Sequence, residues 1–181
     1  MRILCLSGSP RRGGNTDYCV DYLARHLGPQ PNAQVETFYL SEWSILPCQG
    51  CRACMTQNRC VIEDDDFPQI WTKLMASDLL LIAAPVYWLG PPGLMKNFID
   101  RAHGVYALPR PLAGKSAYII SVAADSGFEP HEQVMVSWLH HYGAKILGKS
   151  RVLARELGDA PNSPEANTTL ARIASQLSLL L

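Results

Sequence analysis

The sequence has no surplus of charge, since 16 lysines and arginines face 16 aspartates and glutamates among 181 residues. Without a broad positive field it has little to hold a nucleic acid or an anionic membrane surface. Long apolar runs are missing too. The longest inner stretch, Leu79 to Val86, falls far short of the roughly 20 residues of a membrane helix and reads as a buried strand. The opening MRILCLSGSP runs straight into a Gly-Ser-Pro turn instead of a cleavage site, so it does not read as a secretory signal. The cytoplasm is the expected compartment. Internal repeats and low-complexity tracts are absent. The five histidines, His26, His103, His131, His140 and His141, show no metal-ligand spacing and are expected at the surface or at helix ends.

Neither nucleotide-binding fingerprint occurs in its structural context. G-x-G-x-x-G does not occur. Gly114-Lys115-Ser116 has Pro109 where the first P-loop glycine belongs and precedes a strand, and Gly143 to Ser150, which has the P-loop spacing, falls on the last apolar strand instead of in a loop between a strand and a helix.

What is present is alternation. With 48% apolar residues the chain can build one ordinary core, and a single domain over residues 1–181 is expected. Ile3 to Leu6, Val35 to Leu40, Leu79 to Val86, Ala117 to Ala124 and Ala144 to Leu153 read as strands. The segments Asp17 to Leu27, Phe67 to Ala76, Gly93 to Ala102, Glu129 to His141 and Glu165 to Leu181 carry helical periodicity. Continuous apolar strands separated by helices predict an open parallel α/β sheet with helices on both faces. Ser41 to Asp66 has no period and is expected to be a functional loop.

Ligands of such sheets bind beyond the carboxyl ends of the strands, where strand order reverses. The loop after the first strand reads Ser7-Gly8-Ser9-Pro10-Arg11-Arg12-Gly13-Gly14-Asn15-Thr16. Its glycines let backbone N–H groups approach an oxyanion, and the helix that follows offers unsatisfied donors. Ser9, Asn15 and Thr16 add side-chain donors, and one or both arginines add charge. A monophosphate fits this composition; so does an ordinary turn capped by Asn15 or Thr16. The loop after the third strand, Pro85-Val86-Tyr87-Trp88-Leu89-Gly90, suits a flat ring stacked on aromatic side chains, although Tyr87 and Trp88 could equally be core or interface aromatics.

Together these two loops resemble the NAD(P)H-dependent FMN reductase and flavodoxin-like family, which carries G-S-P-R-x-x-x-N-T after strand one and P-V-Y-W after strand three. The resemblance spans most of the chain. It implies a flavodoxin-like fold with strand order 2-1-3-4-5 and FMN at the switch point. It further implies a phosphate held by Ser9, Arg11, Asn15 and Thr16, with Pro85, Val86, Tyr87 and Trp88 against the isoalloxazine. The loop after strand four, Ala123 to Gly127, matches no fixed pattern. Much of the redox chemistry would belong to the flavin, so no Ser-His-Asp set is needed and no residue is singled out as a catalytic acid or base.

Four of the six cysteines crowd between positions 48 and 60 as C-x2-C-x2-C-x5-C: Cys48, Cys51, Cys54 and Cys60. Such runs commonly hold iron and sulfide, and this one resembles the compact motif of iron-sulfur flavoproteins, which carry a 4Fe-4S cluster. A structural zinc site and an oxidation-prone thiol loop remain open on the same residues. Cys5 and Cys19 read as packed apolar side chains. The expected activity is an FMN-dependent oxidoreductase. It takes electrons from NAD(P)H or a reduced protein such as ferredoxin, and reduces a quinone, a nitro compound or free flavin. The alternative is a non-enzymatic electron carrier between proteins. A homodimer or homotetramer is expected by analogy.

Overall fold

The computed structural model describes Met1–Leu181. Five strands form one sheet: β1 Arg2–Ser7, β2 Gln34–Tyr39, β3 Leu79–Pro85, β4 Ser116–Ala123 and β5 Lys145–Leu153. Seven α-helices connect and close it: α1 Asn15–Leu27, α2 Cys54–Gln57, α3 Phe67–Ala76, α4 Gly93–Arg101, α5 Phe128–His141, α6 Asp159–Asn162 and α7 Pro164–Ser178. The strand order is β2-β1-β3-β4-β5, as the family resemblance implies, and every pairing is parallel, as the alternation of strands and helices predicts.

The continuous apolar strands are buried on both faces because each face feeds a separate core. Leu80, Ile82 and Ala84 of β3 point to a cluster containing Phe67, Trp71, Phe98, Met135 and Trp138 from α3, α4 and α5. Their neighbours Leu79, Leu81 and Ala83 point to the opposite cluster, with Val20, Leu23, Leu170 and Ile173 from α1 and α7. This period-2 alternation fixes the register, because a one-residue slip would exchange the two sets. Cys5 and Cys19 belong to the α1 and α7 side with no exposure, and burial pushes both thiols up to about 12.

The differences from the sequence reading lie at element ends. Leu40 opens a 3-10 turn over Leu40–Glu42 instead of closing β2. Pro164 starts α7 one residue early, where Ser163 caps the helix by accepting the Ala166 N–H at 3.1 Å. One histidine departs from expectation. His131 on α5 is fully buried, with Nδ1 3.0 Å from Ser121 Oγ and Nε2 without a partner. Burial pushes its pKa down to about 4, so an uncharged ring sits under the sheet. No helix is long and apolar enough to cross a membrane.

Candidate functional site

The chain leaves β1 outward to β2 and returns across β1 to β3, so the loops after β1 and β3 part at one edge and open a cleft between them. The first loop is built around a residue the sequence reading did not single out. Asp17, in the first turn of α1 and only 1% exposed, accepts from Ser7 Oγ at 2.5 Å, Gly13 N at 2.7 Å and Arg12 at 2.8 Å. These bonds fold the glycine-rich segment back over its own helix. Arg12 is thereby turned aside, bonded also to Glu42 and lying 3.4 Å over the Tyr39 ring. Gly8 lies against α4 so closely that a Cβ there would stand 2.8 Å from Met95 Sδ.

Neither Asn15 nor Thr16 caps α1. The N-cap is Gly14 and no side chain bonds the first turn, so its leading N–H groups have no intrahelical acceptor. The Asn15 amide instead reaches the loop after β5. It donates to Glu156 O at 2.8 Å and accepts from Ala160 N at 3.1 Å. The capped-turn alternative is therefore not the arrangement this chain adopts.

In the second loop, Tyr87 and Gly90 exchange backbone bonds of 2.8 and 3.0 Å, and Trp88 and Leu89 between them have φ of 47° and 65°. Two positive φ values in succession define a type I′ turn, which normally takes Asn-Gly. Here two bulky residues occupy it. That is a costly backbone of the kind found at functional sites, and it lifts Trp88 wholly into solvent. Val86 packs on Gly127 at the head of α5, where a Cβ would stand 2.9 Å from Val86 Cγ1. The loops after β3 and β4 are thus in contact.

The resulting cleft encloses about 140 Å³ and is lined by 13 residues. Seven of the eight expected residues meet there: Ser9, Arg11, Asn15, Thr16, Pro85, Val86 and Tyr87. Trp88 does not line it. The reading missed Arg155, which enters from the loop after β5; its only sequence signal was its place just beyond a strand's carboxyl end. In a chain of zero formal net charge, the cleft holds two arginines and no carboxylate.

A second cavity, about 420 Å³, is lined by Cys48, Cys51, Cys54 and Cys60 together with residues of α4 and the following 3-10 turn, Ala102–Val105. Its wall rests on Arg101, another residue not singled out from sequence. The fully buried guanidinium donates to Leu46 O at 2.9 Å, Ile62 O at 2.6 Å, Cys60 Sγ at 3.2 Å and the Asp65 carboxylate. Burial works against the charge of Asp65. The Arg101 bond and the Leu46 and Phe67 N–H groups outweigh it, and the carboxyl lies below its usual range. Cys54 Sγ lies 3.5 Å from His103 Nδ1. No three His, Cys, Asp or Glu side chains converge on a single-ion position; the four cysteines border one larger space.

The sequence profile of the NADPH-dependent FMN reductase family matches residues 1–158. This chain belongs to that family. An iron-sulfur flavoprotein of Methanosarcina thermophila is 32% identical over 150 residues, covering 82% of this chain and 78% of that protein. An iron-sulfur flavoprotein of Archaeoglobus fulgidus is 34% identical over 101 residues, or 56% of this chain and 45% of that one. Among solved structures, an NADH:FMN oxidoreductase in its apo form superposes with a TM-score of 0.73 at 18% identity, covering 99% of this chain and 89% of the other, which shows a shared fold. As a member of this family the protein is a flavin oxidoreductase that uses FMN. Its flavodoxin-like sheet is the one anticipated from the sequence.

Proposed function

We propose that the arginine-lined cleft holds FMN by its phosphate end, and that the protein passes electrons from NAD(P)H, or from a reduced protein partner such as ferredoxin, to a small acceptor. Quinones, nitro compounds and free flavin are the acceptor classes. The carrying observation is the cleft itself: an uncapped helix N-terminus beside Arg11, with no carboxylate in the wall. Unsatisfied N–H groups, the positive end of the helix dipole and an unpaired guanidinium form a donor set suited to a phosphomonoester. Ser9 and Thr16 flank it. Asn15 acts by tying the wall together, since both of its polar side-chain atoms are bonded to the loop after β5.

When bound, FMN supplies the redox chemistry. The chain's part is to bind, orient and shield. Val86 and Tyr87 form the wall beyond the phosphate end, and Trp88 stands free at the rim to close on a ring or an acceptor. Apart from its two arginines, Tyr87 is the only titratable side chain of the cleft.

The cysteine cavity is proposed to hold a 4Fe-4S cluster through Cys48, Cys51, Cys54 and Cys60. Each iron of such a cluster takes one thiolate, so the sulfurs surround a larger body than a zinc ion, which draws four ligands within about 2.3 Å of one point. Four cysteines bordering one space of about 420 Å³ match the four thiolates that such a cluster takes. A homo-oligomer is proposed as well, with the exposed Tyr87-Trp88-Leu89 turn as an apolar surface to cover.

Anaerobic purification followed by an absorbance spectrum and iron, sulfide and zinc analysis tests both cofactors on one sample. Flavin bands with about four irons and four sulfides per chain support the full reading. Flavin with zinc, or with no metal, removes the cluster. Failure to take up added FMN sinks the reading of the cleft.

A further inference from the structure

Arg155 lies outside both loops that carry the family resemblance, yet it lines the same cleft as Arg11. We propose that Arg155 is a second phosphate-binding arginine, and that the Arg11–Arg155 pair makes the cleft selective for the phosphomonoester form of the flavin, FMN over riboflavin. The inference rests on reading this cleft as the FMN site.

Arg155 is exposed, as a solvated surface arginine is, but the loop geometry fixes where its backbone lies. The backbone that bears Arg155 is fixed twice. Asp159 accepts the N–H groups of Arg155 at 2.9 Å and Glu156 at 2.7 Å through one carboxylate oxygen. Asn15, at the head of α1, bonds Glu156 O and Ala160 N across some 140 residues of sequence. The Cα of Arg155 is therefore held against the first turn of α1, where the helix has unsatisfied N–H groups.

Charge pairing points the same way. Arg12 is committed to Asp17 and Glu42, and Arg151, four residues before Arg155, to Glu129 and Glu132. Arg11 and Arg155 have no carboxylate within ion-pairing distance. Both arginines are exposed at one small cleft, and an anion bound there offsets their like charge. A phosphomonoester near neutral pH carries close to two negative charges, and the guanidinium fork matches its oxygens. Riboflavin, which has the same ring and a hydroxyl in place of the phosphate, gains nothing from either arginine.

The test is titration of flavin-stripped protein with FMN and with riboflavin, followed by quenching of flavin fluorescence, for the wild type, Arg155→Gln, Arg155→Lys and Arg11→Gln. Loss of one charge-assisted contact weakens FMN binding by about 10- to 100-fold in Arg155→Gln, leaves riboflavin within about twofold, and flattens the salt dependence of FMN binding. Arg155→Lys recovers part of the loss. Equal weakening of FMN and riboflavin in Arg155→Gln assigns Arg155 a role in the fold and overturns the proposal. An unchanged Arg155→Gln beside an Arg11→Gln that loses FMN alone also overturns it, while the cleft stands as the FMN site. If neither arginine matters to FMN, the cleft reading itself fails.

Discussion

Arg101 and Asp65 form an ion pair from which solvent is excluded on both sides, with side-chain exposures of 0% and 1%. The pair joins the end of α4 to the cysteine segment, whose own sequence holds too few apolar residues to pack by itself. Ile45 and Ile62 are its buried aliphatic side chains. The remaining donors of Arg101 go to the carbonyls of Leu46 and Ile62 and to Cys60 Sγ. A charged post thus does the work of a core.

Removing one partner of such a pair leaves the other charged and buried. Asp65→Ala is expected to destabilise the protein by about 3–5 kcal/mol and to expose residues 46–65 to limited proteolysis before the sheet unfolds. Urea unfolding gives the first quantity and mass mapping of early cleavage sites gives the second. Early cleavage elsewhere would dissociate the pair from the lobe.

The same pair carries a pH dependence. Asp65 has a folded pKa below its unfolded value of about 3.9, so its stabilisation is present above about pH 4 and is lost as pH falls through the folded value. His131 acts at higher pH with the same sign. Its folded pKa of about 4 lies under the unfolded value of about 6.5, so the unfolded chain binds the extra proton between the two and stability declines as pH drops through that window. The expected decline is about 3 kcal/mol. Denaturation midpoints from pH 7 to 4 should show a slope that flattens in His131→Gln; an unchanged slope would remove His131 as its source.

Gly104 faces the backbone of Cys60, where an added Cβ would stand 2.7 Å from Cys60 N. The obstacle is main chain, so Cys60 must move. Gly104→Ala is expected to lower iron per chain while leaving FMN content unchanged, as metal and flavin analysis of the same preparation would show. Equal loss of both would instead indicate general misfolding.

The strained turn offers a trade between stability and function. Replacing Trp88 and Leu89 by Asn and Gly supplies the residues a type I′ turn accepts and is expected to stabilise the protein by about 2 kcal/mol, read as a raised Tm. Turnover of the acceptor should fall, because the exposed aromatic side chain next to the cleft residue Tyr87 is gone. A variant with higher Tm and full turnover would show that the strain has no part in the activity.

Much of this protein was legible in one dimension. The apolar strand runs, the helical periods between them and the Gly-rich loop after β1 are local patterns, and local patterns determine which segments become strands, helices and anion-binding turns. They led to the parallel sheet and to seven of the 13 residues that line the cleft, out of eight expected there. Trp88 escaped because its position depends on two positive φ values that its residue type does not announce.

What the sequence could not show are the relations between distant segments. Asn15 looked like a cap and became a tether to residues 156 and 160; Arg155, not singled out in the sequence, came to line the same cleft as Arg11. Arg101 gave no sign of holding a loop some 40 residues upstream. The sequence by itself determined the elements and their alternation, because these follow from side-chain period and turn chemistry within a few residues. Only the tertiary structure decided which charges stay unpaired in the cleft and which are spent on the fold, because pairing depends on the distances that folding sets between parts of the chain.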